Sequence, residues 1–262
     1  MESNGEIGNT IDIDGISTNY HDAGDGTPVV LIHGSGPGVS AWANWRPVIP
    51  GLAEHFRVLA PDIVGFGYTE TPADFSYEPA RWVEHLRGFL DALDIPRAHL
   101  IGNSFGGALA LHLAVADPDR VDRLVLMGSA GTHFELTPGL NAVWGYEPSV
   151  AAMRELLDIF AFDRSLVSDD LARLRYEASI RPGVQEAYAS MFPAPRQRGI
   201  DMLAVDDEQL KALPHETLIV HGRDDLVIPL SASTQLGELI DRAQLHVFGR
   251  CGHWTQIEHT DR

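Results

Sequence analysis

Leu100-Ile101-Gly102-Asn103-Ser104-Phe105-Gly106-Gly107-Ala108 is the stretch that decides the fold. An apolar run ends at Gly102, a serine stands between Gly102 and Gly106, and small residues (Gly107, Ala108, Ala110) open the segment that follows. In this setting G-x-S-x-G describes a sharp strand-to-helix turn that presents a serine hydroxyl, its glycines letting strand and helix approach without Cβ clashes. The amino terminus of the following helix favours developing negative charge. A purely structural glycine-rich turn is the competing reading of the motif alone, and its place directly after a strand-like run weighs against it.

The same rhythm extends in both directions. Upstream, Ile11, Ile13 and Ile16 flank Asp14-Gly15, a hairpin signal continued through Thr18 and Tyr20. Val29-Val30-Leu31-Ile32 and Arg57-Val58-Leu59-Ala60 are short apolar runs suited to strands buried on both faces. Between them lies a helical pattern from Trp42 to His55, interrupted by Pro47 and Pro50. Trp82, Val83, Leu86, Phe89, Leu90 and Leu93 recur at helical spacing. Downstream, a helix over Phe105 to Val115 precedes the run Arg123 to Met127, and Thr217 to Val220 and Gln244 to Phe248 bracket a helix near Ser231 to Ile240. Strands alternating with helices predict an α/β fold with a mostly parallel, doubly wound sheet. The alternation lapses from Glu135 to Asp206, where helical patterning and prolines replace strand-like runs. Residues 135–205 are therefore expected to form a helical lid on a core made of 1–134 and 206–262.

Two further loops complete a reactive set. His221-Gly222-Arg223-Asp224-Asp225 follows one strand-like run, and Cys251-Gly252-His253-Trp254 follows the last. Ser, Asp and His in this chain order, each beyond a different strand, are the arrangement of a hydrolytic triad: nucleophile Ser104, base His253 and an orienting acid. The order alone does not choose between Asp224 and Asp225. His33-Gly34-Ser35-Gly36-Pro37-Gly38 supplies a loop whose backbone can approach a substrate, and Ser35 and Phe105 are the expected N–H donors of an oxyanion hole. His33 and His221 each follow a buried run and read as structural. The twelve histidines show no metal-ligand spacing, so no metal and no cofactor are expected.

Composition limits the partners. With 262 residues, 19 Lys+Arg and 37 Asp+Glu, the chain carries a net charge of −18, which disfavours nucleic acid and anionic membrane as partners. Lys211 is the single lysine, so anion recognition falls to arginine. Cys251 is the single cysteine and excludes an intrachain disulfide. The first 13 residues lack a signal-peptide pattern, and no apolar run has the length of a membrane helix. A soluble, cytoplasmic protein is expected.

Four strings go further: HGSGPGVSAWANWR (33–46), GNSFGG (102–107), LARLRYEASIRPG (171–183) and CGHW (251–254). They resemble the meta-cleavage product hydrolases, carbon–carbon bond hydrolases of the α/β-hydrolase superfamily used in bacterial degradation of aromatic rings. Within these the chain is similar to 2-hydroxymuconate semialdehyde hydrolases and relatives acting on alkyl-substituted ring-fission ketones. The resemblance spans about Tyr20 to Glu258 and implies a 2-hydroxy-6-oxohexa-2,4-dienoate substrate, cleaved to 2-hydroxypenta-2,4-dienoate and a small acid.

The resemblance selects Asp225 as the triad acid and Arg181 as the lid arginine that would bind the substrate carboxylate. The plain alternative for Arg181 is a salt bridge with Glu177 or Glu186. Gly36, Asn44, Asn103 and Trp254 are implied as further substrate contacts, and Ala130, Trp144, Ile200, Val227 and Ile228 as the lining around the 6-substituent. His253 would promote ketonisation and activate Ser104 or water. Gly199 departs from the family pattern, which has a bulky residue there, and is expected to loosen the lid or enlarge the pocket. The family continues past His259 into a final helix, so apolar sheet surface beside the His253 loop is expected to be exposed. A homo-oligomer, dimer or tetramer, is also expected. The alternative function is a carboxylesterase or lactonase with the same triad, which has no use for the lid arginine; a ligand-binding sensor that retains the triad would bind without turnover.

Overall fold

A computed structural model describes residues 4–262. It opens with the expected hairpin, β1 (Asn9–Ile13) and β2 (Ile16–Ala23). Asp14 and Gly15 between them both have positive φ, 51° and 86°, as a two-residue turn matched to strand twist requires. The remaining strands are β3 (Pro28–Ile32), β4 (Arg57–Pro61), β5 (Ala98–Asn103), β6 (Val121–Met127), β7 (Glu216–Gly222) and β8 (Ala243–Phe248). They form one sheet in the order β1-β2-β4-β3-β5-β6-β7-β8. The pairings β1–β2 and β2–β4 are antiparallel; every pairing from β4 through β8 is parallel.

This order places the site. The chain moves from β3 outward to β4 and returns on the other side to β5, so the connections leaving β3 and β5 diverge. Such a switch point leaves a crevice beyond the carboxyl ends of the strands. The His33–Gly38 loop leaves β3 there and Ser104 leaves β5.

Helices cover the sheet: α1 (Ala41–Trp45), α2 (Ile49–Ala53), α3 (Pro79–Ala92) and α4 (Phe105–Ala116), then, after β6, α5 (Pro138–Trp144), α6 (Val150–Phe160), α7 (Asp169–Ser179), α8 (Val184–Met191), α9 (Gln197–Leu203) and α10 (Asp207–Lys211), and finally α11 (Leu230–Leu239) and α12 (Thr255–Glu258). The pattern read over Trp42 to His55 breaks into two short helices, with Pro50 in the first turn of the second, where its missing N–H costs nothing. Trp82, Leu86, Phe89 and Leu90 turn one face of α3 into the core, while α4, apolar all round, is buried on nearly every side. Ser or Thr side chains cap α5, α6 and α7: Thr137 accepts from Leu140 N, Ser149 from Ala152 N and Ser168 from Leu171 N. Each such cap stabilises its helix by about 1 kcal/mol.

Not every strand is buried as its sequence suggests. In and beside β8, Leu218, Leu245 and Val247 are about two-fifths exposed, so the β7–β8 end of the sheet presents apolar surface. Among the described residues no helix is long and apolar enough to cross a membrane.

Candidate active site

Ser104 has φ 55° and ψ −116°, a strained conformation for a residue with a Cβ. Holding it costs about 1–3 kcal/mol, supplied by its surroundings. Its N–H bonds Met127 O at 2.9 Å, and its carbonyl accepts from Gly107 and Ala130 N–H. The flanking glycines are required by contact. A Cβ on Gly102 would lie 2.4 Å from Gly106 O, and one on Gly106 would lie 2.1 Å from Ile32 O. Phe105 opens α4, so its N–H belongs to the first turn that the helix itself leaves without a partner.

Behind the serine, His253 Nδ1 lies 2.7 Å from Asp225 Oδ2. Carboxylate can only accept, so the ring proton sits on Nδ1 and Nε2 is left as a base. Asp225 Oδ1 accepts from Val227 N at 2.7 Å and Ile228 N at 3.0 Å, and its side chain is 1% exposed. Asp224 faces outward, taking Arg250 N at 2.9 Å and pairing with Arg223. The geometry thus sets Asp225, the acid the resemblance selects and chain order leaves open, against His253 and turns Asp224 away. Among the described residues no hydrogen bond yet joins Ser104 to His253, although both line the same cavity; such contacts commonly tighten only with substrate in place.

The cavity holds about 260 Å³. Gly34, Ser35, Gly36, Asn44, Arg46, Asn103, Ser104, Arg175, His253 and Trp254 supply its polar wall, and residues such as Leu140, Val143, Met153, Leu157, Phe160 and Val227 its apolar wall. Asn103 Nδ2 donates to Met127 O, and its Oδ1 accepts from Asn44 Nδ2 at 3.3 Å. Asn44 Oδ1 is buried and has no partner among the described residues. A buried lone acceptor at a cavity wall is a place for a ligand donor. From α6, Phe160 reaches the catalytic loop: its carbonyl accepts His253 N–H at 2.7 Å, and its ring stacks on Trp254.

His33 and His221 sit as structural residues. His33 Nε2 accepts from Ile63 N and Nδ1 donates to Gly34 O, and burial pushes its pKa down to about 4. His221 bonds Ser233 and Ile228 O, and burial lowers it too. Burial pushes the Cys251 thiol up to about 12, which leaves it unreactive.

Several expected contacts are corrected. Arg181 lies beyond the last residue of α7 and outside the cavity; Nη2 donates to Gly67 O at 2.6 Å, Nε to Ala178 O, and the guanidinium sits 3.9 Å over the Tyr68 ring. Two arginines line the cavity, the exposed Arg46 that follows α1 and Arg175, one turn after Leu171 on the same face of α7. That i, i+4 pair was visible in the sequence, but nothing there said which face of the helix turns inward. Of the five residues expected around the 6-substituent, only Val227 lines this cavity; Ala130, Trp144, Ile200 and Ile228 are buried outside its lining. Ile228 spends its N–H on Asp225, and Trp144 donates from Nε1 to Ser35 Oγ at 3.1 Å. Gly199 does not open the pocket. A Cβ there would meet Trp144 at 2.8 Å, and the space is filled by Trp144 stacked on Phe192 at 4.1 Å.

Comparison with known proteins gives the family. The family model described as alpha/beta hydrolase fold matches residues 27–260. The chain is 63% identical over 257 residues to 2-hydroxymuconate semialdehyde hydrolase of Pseudomonas sp. (strain CF600), covering 98% of this chain and 91% of that one. It is 64% identical over 255 residues to 2-hydroxy-6-oxo-2,4-heptadienoate hydrolase of Pseudomonas putida, covering 97% and 92%. A mutant meta-cleavage product hydrolase from Pseudomonas fluorescens IP01, complexed with acetates, superposes with a TM-score of 0.98 at 66% identity, covering 99% and 95%. A serine on a strained elbow, a buried His–Asp pair and these full-length likenesses make the chain a member of the meta-cleavage product hydrolases of the alpha/beta-hydrolase fold.

Proposed function

We propose that this protein hydrolyses the carbon–carbon bond next to the 6-carbonyl of 2-hydroxy-6-oxo-2,4-dienoates, with 2-hydroxymuconate semialdehyde or a small 6-alkyl analogue as substrate. The observation that carries this reading is the joining of two different binding chemistries in one cavity. Ser104 and His253 stand with Arg175 and the Asn44–Asn103 amides. A simple esterase needs only the first group.

Carbon is a poor leaving group unless its electrons have somewhere to go. Moving the proton of the 2-hydroxyl to C5 gives a 2-oxo tautomer, and C–C cleavage then releases a dienolate whose charge rests on the 2-oxygen. The enzyme must hold a carboxylate and this oxygen at one end while attacking a carbonyl at the other. Arg175 fits the carboxylate, as a planar guanidinium does. The unpartnered Asn44 Oδ1 fits the enol hydroxyl as an acceptor.

At the other end His253 Nε2 takes the Ser104 proton as Oγ adds to C6. The N–H groups of Ser35 and Phe105 face the resulting oxyanion. The C5–C6 bond breaks, its electron pair delocalises to the 2-oxygen, and His253 returns the proton to the product. Water then hydrolyses the Ser104 ester and frees the small acid. The net charge of −18 repels an anionic substrate, so a cavity arginine such as Arg175 matters more here than in a neutral protein. A cytoplasmic location and a homo-oligomeric state go with this reading.

The test is the bleaching of the yellow ring-fission products. The 6-hydrogen, 6-methyl, 6-isopropyl and 6-phenyl compounds are mixed in parallel with purified protein and with Ser104→Ala. Fast bleaching of the smaller substrates, absent in the variant, is expected. A folded protein that turns over simple esters yet leaves every dienoate intact overturns the proposal.

A further inference from the structure

The structure assigns Glu6 as the positioning residue for Arg175, an inference that rests on the dienoate reading above. Glu6 precedes β1, far in sequence from every motif that defines the site, yet it is only 8% exposed. Its Oε1 accepts from Arg175 Nη2, and its Oε2 accepts from Ser40 Oγ at 3.0 Å. Both side chains of the ion pair are 11% exposed.

The carboxylate is itself fixed. Ser40 caps α1, accepting from Ala43 N at 3.1 Å. The Glu6 carbonyl accepts from Asn19 Nδ2 at 3.0 Å, which ties the segment to β2. The amino-terminal segment therefore carries a rigid acceptor from the sheet to a helix of the 135–205 segment. At a lone surface pair such a contact would contribute little. Here it decides where a long, rotamer-rich side chain spends its time. The second guanidinium nitrogen, Nη1, lies 3.5 Å from Gly38 O, so Glu6 is the principal anchor among the described residues. With Nη2 held against Glu6, Arg175 is kept in the lining of the cavity, where a substrate carboxylate would meet it.

A double-mutant cycle on the full chain tests this, with steady-state KM and kcat for the 6-methyl dienoate and the Tm of each variant. Losing a hydrogen bond to a charged group corresponds to a rise in KM of about 10-fold in Glu6→Ala. Glu6→Gln, which keeps an acceptor for Nη2, restores most of it. Arg175→Ala raises KM more, and adding Glu6→Ala to it brings no further rise. A merely structural Glu6 would act equally in both backgrounds, and an unchanged KM in Glu6→Ala or additive effects in the cycle overturn the assignment. If wild-type protein consumes no dienoate at all, the proposed function falls and takes this inference with it. If wild type and Arg175→Ala behave as stated and only the Glu6 variants do not, this inference alone fails.

Discussion

Replacing Asp225 by Asn tests the site most sharply, because its outcome follows from three hydrogen bonds. Asp225 Oδ1 receives the N–H groups of Val227 and Ile228 at 2.7 and 3.0 Å, and Oδ2 receives His253 Nδ1–H at 2.7 Å. An asparagine must keep its oxygen toward the two backbone donors. Flipping the amide would set NH2 against both, at about 1–3 kcal/mol for each buried donor left unpaired. The amide nitrogen therefore faces His253, whose Nδ1 must turn acceptor. The ring proton moves to Nε2, and the base needed by Ser104 is gone. Loss of the correct tautomer in a serine triad lowers kcat by about 10⁴, or roughly 5 kcal/mol of transition-state stabilisation. Asp224→Asn is the matched control: Asp224 is one-third exposed, and an amide oxygen can still accept from Arg250 N. Its loss should stay within about threefold. The assay is dienoate bleaching at saturating substrate, with Tm recorded for both variants. A larger loss at Asp224, or more than a tenth of wild-type kcat surviving in Asp225→Asn, refutes the assignment.

Other expectations follow from the same geometry. Arg175→Ala should raise KM for the dienoate by about 10- to 100-fold, the range for a lost charge-assisted bond, whereas Arg181→Ala should leave KM within about threefold and lower Tm by a few degrees; steady-state kinetics of the pair decides, and a reversed order refutes the cavity assignment. Gly106→Ala should abolish soluble expression or lower stability by more than about 3 kcal/mol, since its Cβ would lie 2.1 Å from Ile32 O; a normal Tm would count against the elbow geometry. Stability should fall on acidification from pH 6.5 toward pH 4. Burial holds His33 and His85 at about 4, so the unfolded chain binds about two more protons there between pH 4 and 6.5. Asp62, raised by burial to about 6, opposes them by about one proton. The net, about one proton, is a loss of roughly 1.4 kcal/mol per pH unit, readable by urea unfolding; flat or rising stability over that window contradicts it.

The fold and the triad were legible because the signals are local. Each triad member stands in the short stretch that follows an apolar run, and a strand that ends in a turn puts the polar residues after it at the sheet edge wherever the strand lies. The hairpin at Asp14-Gly15 and the capped helices between β6 and β7 are read from a few adjacent residues for the same reason. Contacts between distant segments were not legible. Arg173, Arg175 and Arg181 crowd one short string. Only the rotation of α7 against the core turns Arg175 inward, and only the nearby Gly67–Tyr68 loop claims Arg181. The place of Gly199 was misread because Trp144, which fills its space together with Phe192, comes from a helix distant in sequence. Glu6 carried no signal at all.

The sequence by itself determined the α/β architecture, the nucleophile on its elbow and the order of its partners, because backbone preference and hydrophobic period act over a few residues. Tertiary structure alone decided which arginines and which other side chains wall the cavity. Those choices depend on the directions in which side chains leave helices and loops, and packing between segments dozens of residues apart sets those directions.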